Sequence, residues 1–245
     1  ASKSNFLVVI PNSNQRLRVQ MNKCTFSIGG APIVRVNSYV HLGHIINNQL
    51  NDDDDVMYRR NCFIGQANNV LCYFNKLDMC VRIKLFKNFC SSMYGCELWS
   101  LTDNVAEDFC IAWRKALRRV LNLPYDTHSY LLPLLTDTLP VFEEICRRSA
   151  QFILKCLNSS STLVKYVTRH AINIARYNSN VGKNALFCSN YFKWQLYDFL
   201  NGSVALNRNG FLTFCLGRLS DYEVDNAGSQ YVVLLVREGN LFVES

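Results

Sequence analysis

Long apolar runs are missing from this chain of 245 residues. Its longest, such as 232–236, fall far short of the roughly 18 residues that a membrane span needs, so we expect no membrane-spanning segment. Charged residues are also scarce at 18%, whereas hydrophobic residues make up 49%. That mixture is too apolar for a disordered chain and predicts a folded core, in one large domain or two small ones.

Motifs of several common enzyme chemistries are absent as well. The sequence has no Gly-rich phosphate loop, no Gly-x-Ser-x-Gly nucleophile turn and no Cys-x-x-Cys pair. His41 and His44 are expected on opposite faces of one strand, and His128 and His170 have no partner nearby in sequence. We therefore find no self-contained catalytic or metal-binding constellation.

Cysteine is abundant, but its arrangement argues against a zinc site or a disulfide scaffold. The 11 cysteines are odd in number and lack tight pairs. A zinc site needs paired ligands, and a secreted disulfide scaffold is usually smaller, with an even number of cysteines. We predict reduced, buried thiols that pack as small hydrophobic groups in an intracellular protein.

Two periodicities divide the chain. Before residue 50, alternating segments separated by turn residues predict a small antiparallel sheet or meander. After residue 51, apolar residues recur at helical spacing, which predicts a mostly helical body. The fold class is therefore α+β and predominantly α. The predicted strands are 5–10, 17–21, 24–28, 33–36 and 39–46, and 228–236 is either strand or helix.

The helical segments carry specific expectations. Apolar residues recur at helical spacing along one face of the first predicted helix and along one face of the next. They are Phe63, Ala67, Val70, Leu71, Phe74 and Leu77 on the first, and Leu85, Phe86, Phe89, Cys90 and Met93 on the second. Pro124 is expected to end the third helix. Ser161 is placed to cap a fifth helix that runs to about 174, whereas 178–184 is predicted as loop and 185–200 as helix.

Basic residues are clustered in a chain whose net charge is +7. One pair lies just inside the first predicted helix. Four more form a doubly basic stripe on the third, because residues four apart share a helix face. Such a stripe attracts phosphates, but it is also typical of a solvated helix face, and both interpretations stay open. These residues are Arg59, Arg60, Arg114, Lys115, Arg118 and Arg119.

Four consecutive aspartates, 52–55, precede the first predicted helix. Carboxylates can bind Mg²⁺ in nucleic-acid enzymes. However, acidic side chains at a helix start also bond to free backbone N–H groups and complement the helix dipole. Consecutive side chains point in different directions, so we favour capping over a metal site.

Three stretches of the chain carry a family resemblance. Residues 37–46 are Asn-Ser-Tyr-Val-His-Leu-Gly-His-Ile-Ile, an aromatic-rich strand ending in Leu-Gly before an apolar strand. Residues 59–68 begin a helix with Arg-Arg-Asn-Cys-Phe, and Tyr-Gly-Cys-Glu-Leu-Trp at 94–99 follows a second helix. Together they resemble the end of the palm and the thumb of reverse transcriptases from non-LTR (LINE-type) retrotransposons.

The resemblance implies a division of the chain and a set of contacts. It makes 1–50 the end of the polymerase palm, 51–123 a thumb-like helical bundle and 124–245 a helical C-terminal extension. It also implies that the chain holds an RNA/DNA template–primer duplex or element RNA, inside a ribonucleoprotein of the nucleus or cytoplasm. Primer-grip contacts would come from Tyr39, Leu42 and Gly43, and nucleic-acid contacts from the six basic residues.

The catalytic aspartates of that family have no match here. Its aromatic-Ala-Asp-Asp hairpin and earlier aspartate are missing, and 52–55 lies downstream of the Leu-Gly strand. The chain also has Val-His-Leu-Gly at 40–43 where the family has Lys-Tyr-Leu-Gly. The opening Ala-Ser-Lys-Ser resembles a lysine-containing family segment, which makes Lys3 either a general acid or an exposed terminal lysine.

We therefore expect a fragment of an RNA-directed DNA polymerase that is inactive by itself. The missing palm and fingers would supply the catalytic site. The chain itself is expected to hold no metal or cofactor, and Mg²⁺ is implied only for the complete polymerase. The alternatives are an element-derived helical interaction module without nucleic-acid function, or a degenerate product without function.

Overall fold

The computed structural model describes residues 4–9, 24–90, 93–174 and 177–201. This part of the chain is mainly helical with a few short strands, as the sequence predicts. The predictions for Lys3, 17–21 and 228–236 fall outside the described residues. The chain divides into two compact units, Ala1–Asn61 and Cys62–Ser245. The three-part division at 50 and 123 is a division by function and stays a prediction.

Six short strands in the described residues form three separate two-stranded sheets. Two pairs are antiparallel, but the β1–β4 pair is parallel, so the predicted antiparallel meander is wrong for that pair. An alternating pattern shows that a segment is extended without showing its partner or direction. The strands are β1 (Asn5–Leu7), β2 (Ser27–Ile28), β3 (Ala31–Pro32), β4 (Val34–Val36), β5 (Ser38–His41) and β6 (His44–Asn47).

Eight α-helices lie within the described residues, and a 3₁₀ turn at Cys96–Leu98 follows the second of them. They are α1 (Asp53–Phe74), α2 (Met79–Cys90), α3 (Val105–Val120), α4 (Leu131–Thr136), α5 (Val141–Leu157), α6 (Thr162–Asn173), α7 (Asn180–Tyr191) and α8 (Leu196–Leu200). The boundary between the two compact units falls within α1.

An aromatic cluster lies at the core of the second unit. Phe109 of α3 is 1% exposed, and its ring centroid lies 5.4 Å from that of Phe63 and 5.7 Å from that of Trp99. Phe86 of α2 contacts Phe63 edge to face. The predicted apolar faces are therefore buried only in part. Phe63 and Phe86 lie in the core, whereas Phe74, Leu77 and Phe89 are 37%, 43% and 59% exposed, so the prediction is wrong for these three. Phe89 directly precedes the buried Cys90, and neighbouring residues of a helix point about 100° apart, so Phe89 faces solvent.

Serine N-caps explain why one predicted helix is confirmed and why a segment predicted as loop is helical. The Ser161 hydroxyl accepts a hydrogen bond from the Val164 amide at 3.4 Å, and α6 runs as predicted. The predicted loop at 178–184 is wrong, because α7 begins at Asn180. There the Ser179 hydroxyl accepts from the Gly182 amide at 3.0 Å, which is an N-cap of the same kind.

The cysteines divide between the core and the surface. The ten in the described residues are free thiols, as predicted, but their predicted burial holds for only part of the set. Burial raises the pKa of Cys90 to about 11 and the pKa of Cys96 and Cys110 to about 12. Cys90, Cys96, Cys110, Cys146 and Cys188 are buried, whereas Cys62, Cys72 and Cys80 are exposed.

Thiol alkylation of the native protein at pH 8 is expected to separate these two sets. A thiol of pKa about 11 is ionised in about one molecule in a thousand at that pH, and only the thiolate reacts. Peptide mass spectrometry should therefore find Cys62, Cys72 and Cys80 modified first, with the buried set modified only after denaturation. Equal rates for Cys62 and Cys110 in the native protein would contradict this prediction.

Candidate functional site

The residues of the predicted primer grip lie on one β-hairpin. Strands β5 and β6 are joined by the two-residue turn Leu42-Gly43, whose φ angles are 48° and 81°. Two positive φ angles suit the right-handed twist of a tight hairpin. The Leu42 side chain is 79% exposed and Tyr39 is 44% exposed. Leu42 and Gly43 therefore form an exposed turn, and Tyr39 is exposed on β5 of the same hairpin, where it is paired with Ile46.

The hairpin changes the placement of two histidines. His41 and His44 are paired directly across the strands, so the prediction that they lie on opposite faces is wrong. Directly opposed residues of an antiparallel pair share a face of the sheet. The sequence pattern predicts a single continuous strand because the Leu42-Gly43 turn lies inside an otherwise extended run. His44 Nδ1 lies 3.2 Å from Oδ2 of Asp55.

Asp55 fastens this hairpin to the first turn of α1. Its side chain is fully buried. One carboxylate oxygen, Oδ1, accepts a hydrogen bond from the Ile45 amide at 3.0 Å and lies 3.8 Å from Nε of Arg59. The other oxygen faces His44. The carboxylate thus joins a β6 backbone amide to two cationic or titratable side chains, and sequence reasoning missed this role.

Asp53 and Asp54 have partners of their own, whereas Asp52 lies near the same histidine as Asp55, with its Oδ1 3.9 Å from His44 Nε2. Asp53, Asp54 and Asp55 occupy the first turn of α1, where the sequence places them. Asp54 accepts a hydrogen bond from the Asn47 amide group at 3.0 Å, and Asp53 accepts one from Asn51 at 2.9 Å. Because these carboxylates bond to different groups, they do not fit a Mg²⁺ site. No group of three or more His, Cys, Asp or Glu converges as metal ligands in the described residues.

Arg59 is engaged with the hairpin tip. Its Nη2 donates to the Gly43 carbonyl oxygen, and its guanidinium carbon lies 5.4 Å from the centroid of the Tyr58 ring. Arg59 therefore positions the turn, and its guanidinium is only partly available to a phosphate. Arg60 is half-buried, and its Nε has no hydrogen-bond partner among the residues described.

Two members of the α3 stripe make internal contacts. Arg114 forms an ion pair with Glu107. Arg118 donates from Nε and Nη2 to the Thr127 carbonyl at 3.0 and 2.7 Å, and from Nη2 to the Ser129 hydroxyl at 2.9 Å. Arg118 therefore holds the 125–129 loop, which follows the end of α3.

The remaining two members face solvent. Lys115 and Arg119 are both exposed, and Arg119 donates one hydrogen bond to Asn68 at 3.1 Å. Lys115 has no ion-pair or hydrogen-bond partner in the part of the chain that the structure describes. The predicted stripe is thus two arginines with internal partners beside two exposed cations, and the exposed pair is the more accessible to a ligand.

The two candidate surfaces belong to different compact units, the hairpin to the first and α3 to the second. The helices that the structure describes do not include one with the length and apolarity to cross a membrane. Comparisons with protein-family models, with curated proteins and with solved structures each found no match to this chain.

Proposed function

We propose that this chain is the C-terminal part of a LINE-type reverse transcriptase and that it holds the template–primer duplex. The observation that carries the proposal is the hairpin. Tyr39, Leu42 and Gly43, which resemble the primer grip, are all exposed on one hairpin, with Leu42 and Gly43 at its turn and Tyr39 on β5. Asp55 and Arg59 hold this hairpin against the start of a 22-residue helix.

A rigid hairpin of this kind suits the alignment of a primer end. Holding a reacting group in one geometry lowers the entropic part of a reaction barrier, so a positioned strand end favours chemistry without supplying any catalytic group. The exposed Tyr39 ring can pack against a sugar or base, and the Leu42 side chain adds apolar contact. The chain's own carboxylates hold no metal in this scheme, and catalysis belongs to the palm that the resemblance implies.

Charge reversal of the exposed pair on α3 is the test of duplex binding. In Lys115→Glu/Arg119→Glu, affinity for an RNA/DNA hybrid should fall about 10-fold or more, because two phosphate contacts are lost. The slope of log affinity against log salt should shrink by about 1.8, at 0.9 for each contact. Fluorescence anisotropy with a labelled hybrid, measured across a salt series, gives both quantities.

The matched control is Lys155→Glu/Lys193→Glu. Both lysines are exposed, and the double reversal changes the net charge by the same amount. This control is expected to retain the salt slope of the unmodified chain. An equal loss of affinity in both variants would show that binding follows net charge rather than α3, and would reject the assignment of the interface.

The alternative is an interaction module without a nucleic-acid role. The observation that favours it is apolar exposure in the first unit, where Val40 is 59% and Met57 62% exposed. The two functions differ in their response to the hybrid. Salt-dependent binding supports the clamp, whereas no binding at about 50 mM salt supports the interaction module.

A further inference from the structure

Helix α6 exposes a row of apolar and aromatic side chains to solvent. Leu163, Tyr166 and Val167 are 71%, 69% and 56% exposed. Residues three and four positions apart are neighbours on a helix surface, so these side chains form one row. The opposite face is buried through Ala171 and Ile172, where α6 packs against α5 and α7.

An aromatic stack on this outer face lies next to a row of two basic residues. The rings of Tyr166 and His170 are stacked, with centroids 6.5 Å apart and an interplanar angle of 22°. Lys165 and Arg169 are also four residues apart, and Arg169 is three residues from Tyr166, so the cations form a row along one side of the stack. Arg169 and His170 are exposed, and Lys165 is half-buried.

The sequence that forms and surrounds this helix lacks carboxylates. From 145 to 197 the chain has eight Lys and Arg residues and no Asp or Glu, which includes all of α6 and α7. The carboxylates of α5 lie in its first turn and are paired. Glu143 accepts a hydrogen bond from Tyr191, and Glu144 accepts from Arg147 and Arg148. The charge is therefore complementary to a polyanion.

We propose that this face of α6 binds single-stranded nucleic acid. Bases stack on Tyr166 and His170, and the phosphates lie against Lys165 and Arg169. Aromatic stacking beside a basic row is how proteins hold single strands without reading their sequence. A duplex keeps its bases stacked inside the helix, so the site is distinct from the duplex surface proposed above and does not depend on it.

The test uses the full chain and three labelled probes in fluorescence anisotropy: an oligouridine RNA of about 12 nucleotides, the matching DNA strand and an RNA/DNA hybrid. Tyr166→Ala should weaken single-strand binding about 10-fold, whereas Tyr166→Phe retains the stacking ring and the affinity. Lys165→Gln/Arg169→Gln should reduce the salt slope by about 1.4, at 0.7 for each contact. Tyr197→Ala is the control, since Tyr197 of α8 is 77% exposed and should not matter.

The duplex surface and this site are separated by their variants. Lys115→Glu/Arg119→Glu should retain single-strand affinity even if it loses the hybrid, so either proposal can fail alone. A loss of affinity for either the RNA or the DNA strand in Tyr166→Ala supports the site. Tighter binding of RNA than of DNA would indicate contacts to the 2′-hydroxyl.

Three results would overturn the proposal. The first is equal single-strand affinity of Tyr166→Ala and the unmodified chain. The second is an equal loss of affinity in Tyr197→Ala. The third is a dimer in light scattering that Val167→Asp converts to a monomer, because the apolar row would then be covered by a second copy. Circular dichroism checks that each variant retains its helices.

Discussion

Replacing Asn184 with alanine is expected to lower the free energy of unfolding by about 3 kcal/mol. The side chain is 2% exposed and lies at the junction of α7, α5 and the segment after the 3₁₀ turn. Its Oδ1 accepts from the Leu101 amide at 2.9 Å, and its Nδ2 donates to the Trp99 carbonyl at 2.8 Å and to the Ser149 hydroxyl at 3.2 Å. Alanine would leave the buried Leu101 amide without its acceptor and would remove the bonds to Trp99 and Ser149. An unsatisfied buried polar group destabilises by about 1–3 kcal/mol, and each lost hydrogen bond adds to this.

Urea denaturation followed by circular dichroism measures this effect. Asn190→Ala is the matched control, because Asn190 is an exposed asparagine in the last turn of the same helix. Its substitution should change the free energy of unfolding by less than about 0.5 kcal/mol. A loss below about 1 kcal/mol at Asn184 would mean that water or rearrangement satisfies the Leu101 amide and the Trp99 carbonyl.

The second large effect is expected at Asp55 and is confined to the first compact unit. Asp55→Ala removes the acceptor of the Ile45 amide and the carboxylate that faces His44 and Arg59. Deleting a fully buried carboxylate from such a cluster destabilises by about 3 kcal/mol, because the Ile45 amide loses its acceptor and His44 and Arg59 lose the negative charge beside them. Asp55→Asn retains an acceptor for the Ile45 amide, so its effect should be smaller.

Amide hydrogen exchange shows where the destabilisation falls. In Asp55→Ala the Ile45 amide and the rest of β6 should exchange faster, while the amides of α5 keep their protection. Asp53→Ala is the control, since Asp53 is exposed in the same helical turn. If the Ile45 amide kept its protection in Asp55→Ala, the carboxylate would not be what holds the hairpin. A loosened tip should also weaken hybrid binding if the hairpin is the grip that we propose.

Part of the fold can be predicted from residues that are close together in the sequence. The aspartates at the start of α1, the Ser161 cap and the buried row at Phe63, Ala67 and Val70 follow from interactions within a few residues, and the structure confirms them. Ser179 is the same capping signal, but the adjacent Asn and Gly residues hide it in a sequence that resembles a loop. The absence of Asp and Glu from 145–197 is also visible in the sequence, but the stacking of Tyr166 on His170 within that stretch is not.

The sequence by itself determined the fold class, most helix positions and the excess of positive charge, because these depend on composition and on spacing along one element. Only the tertiary structure decided which charges are used internally. Arg118 holds a loop and Arg59 holds a turn, whereas Lys115 points to solvent from the same kind of helical surface. The pairing of His41 with His44 and the burial of Asp55 likewise required the hairpin to fold back on α1. The partner of a side chain depends on residues distant in sequence, and the spacing of residues within a single element does not identify them.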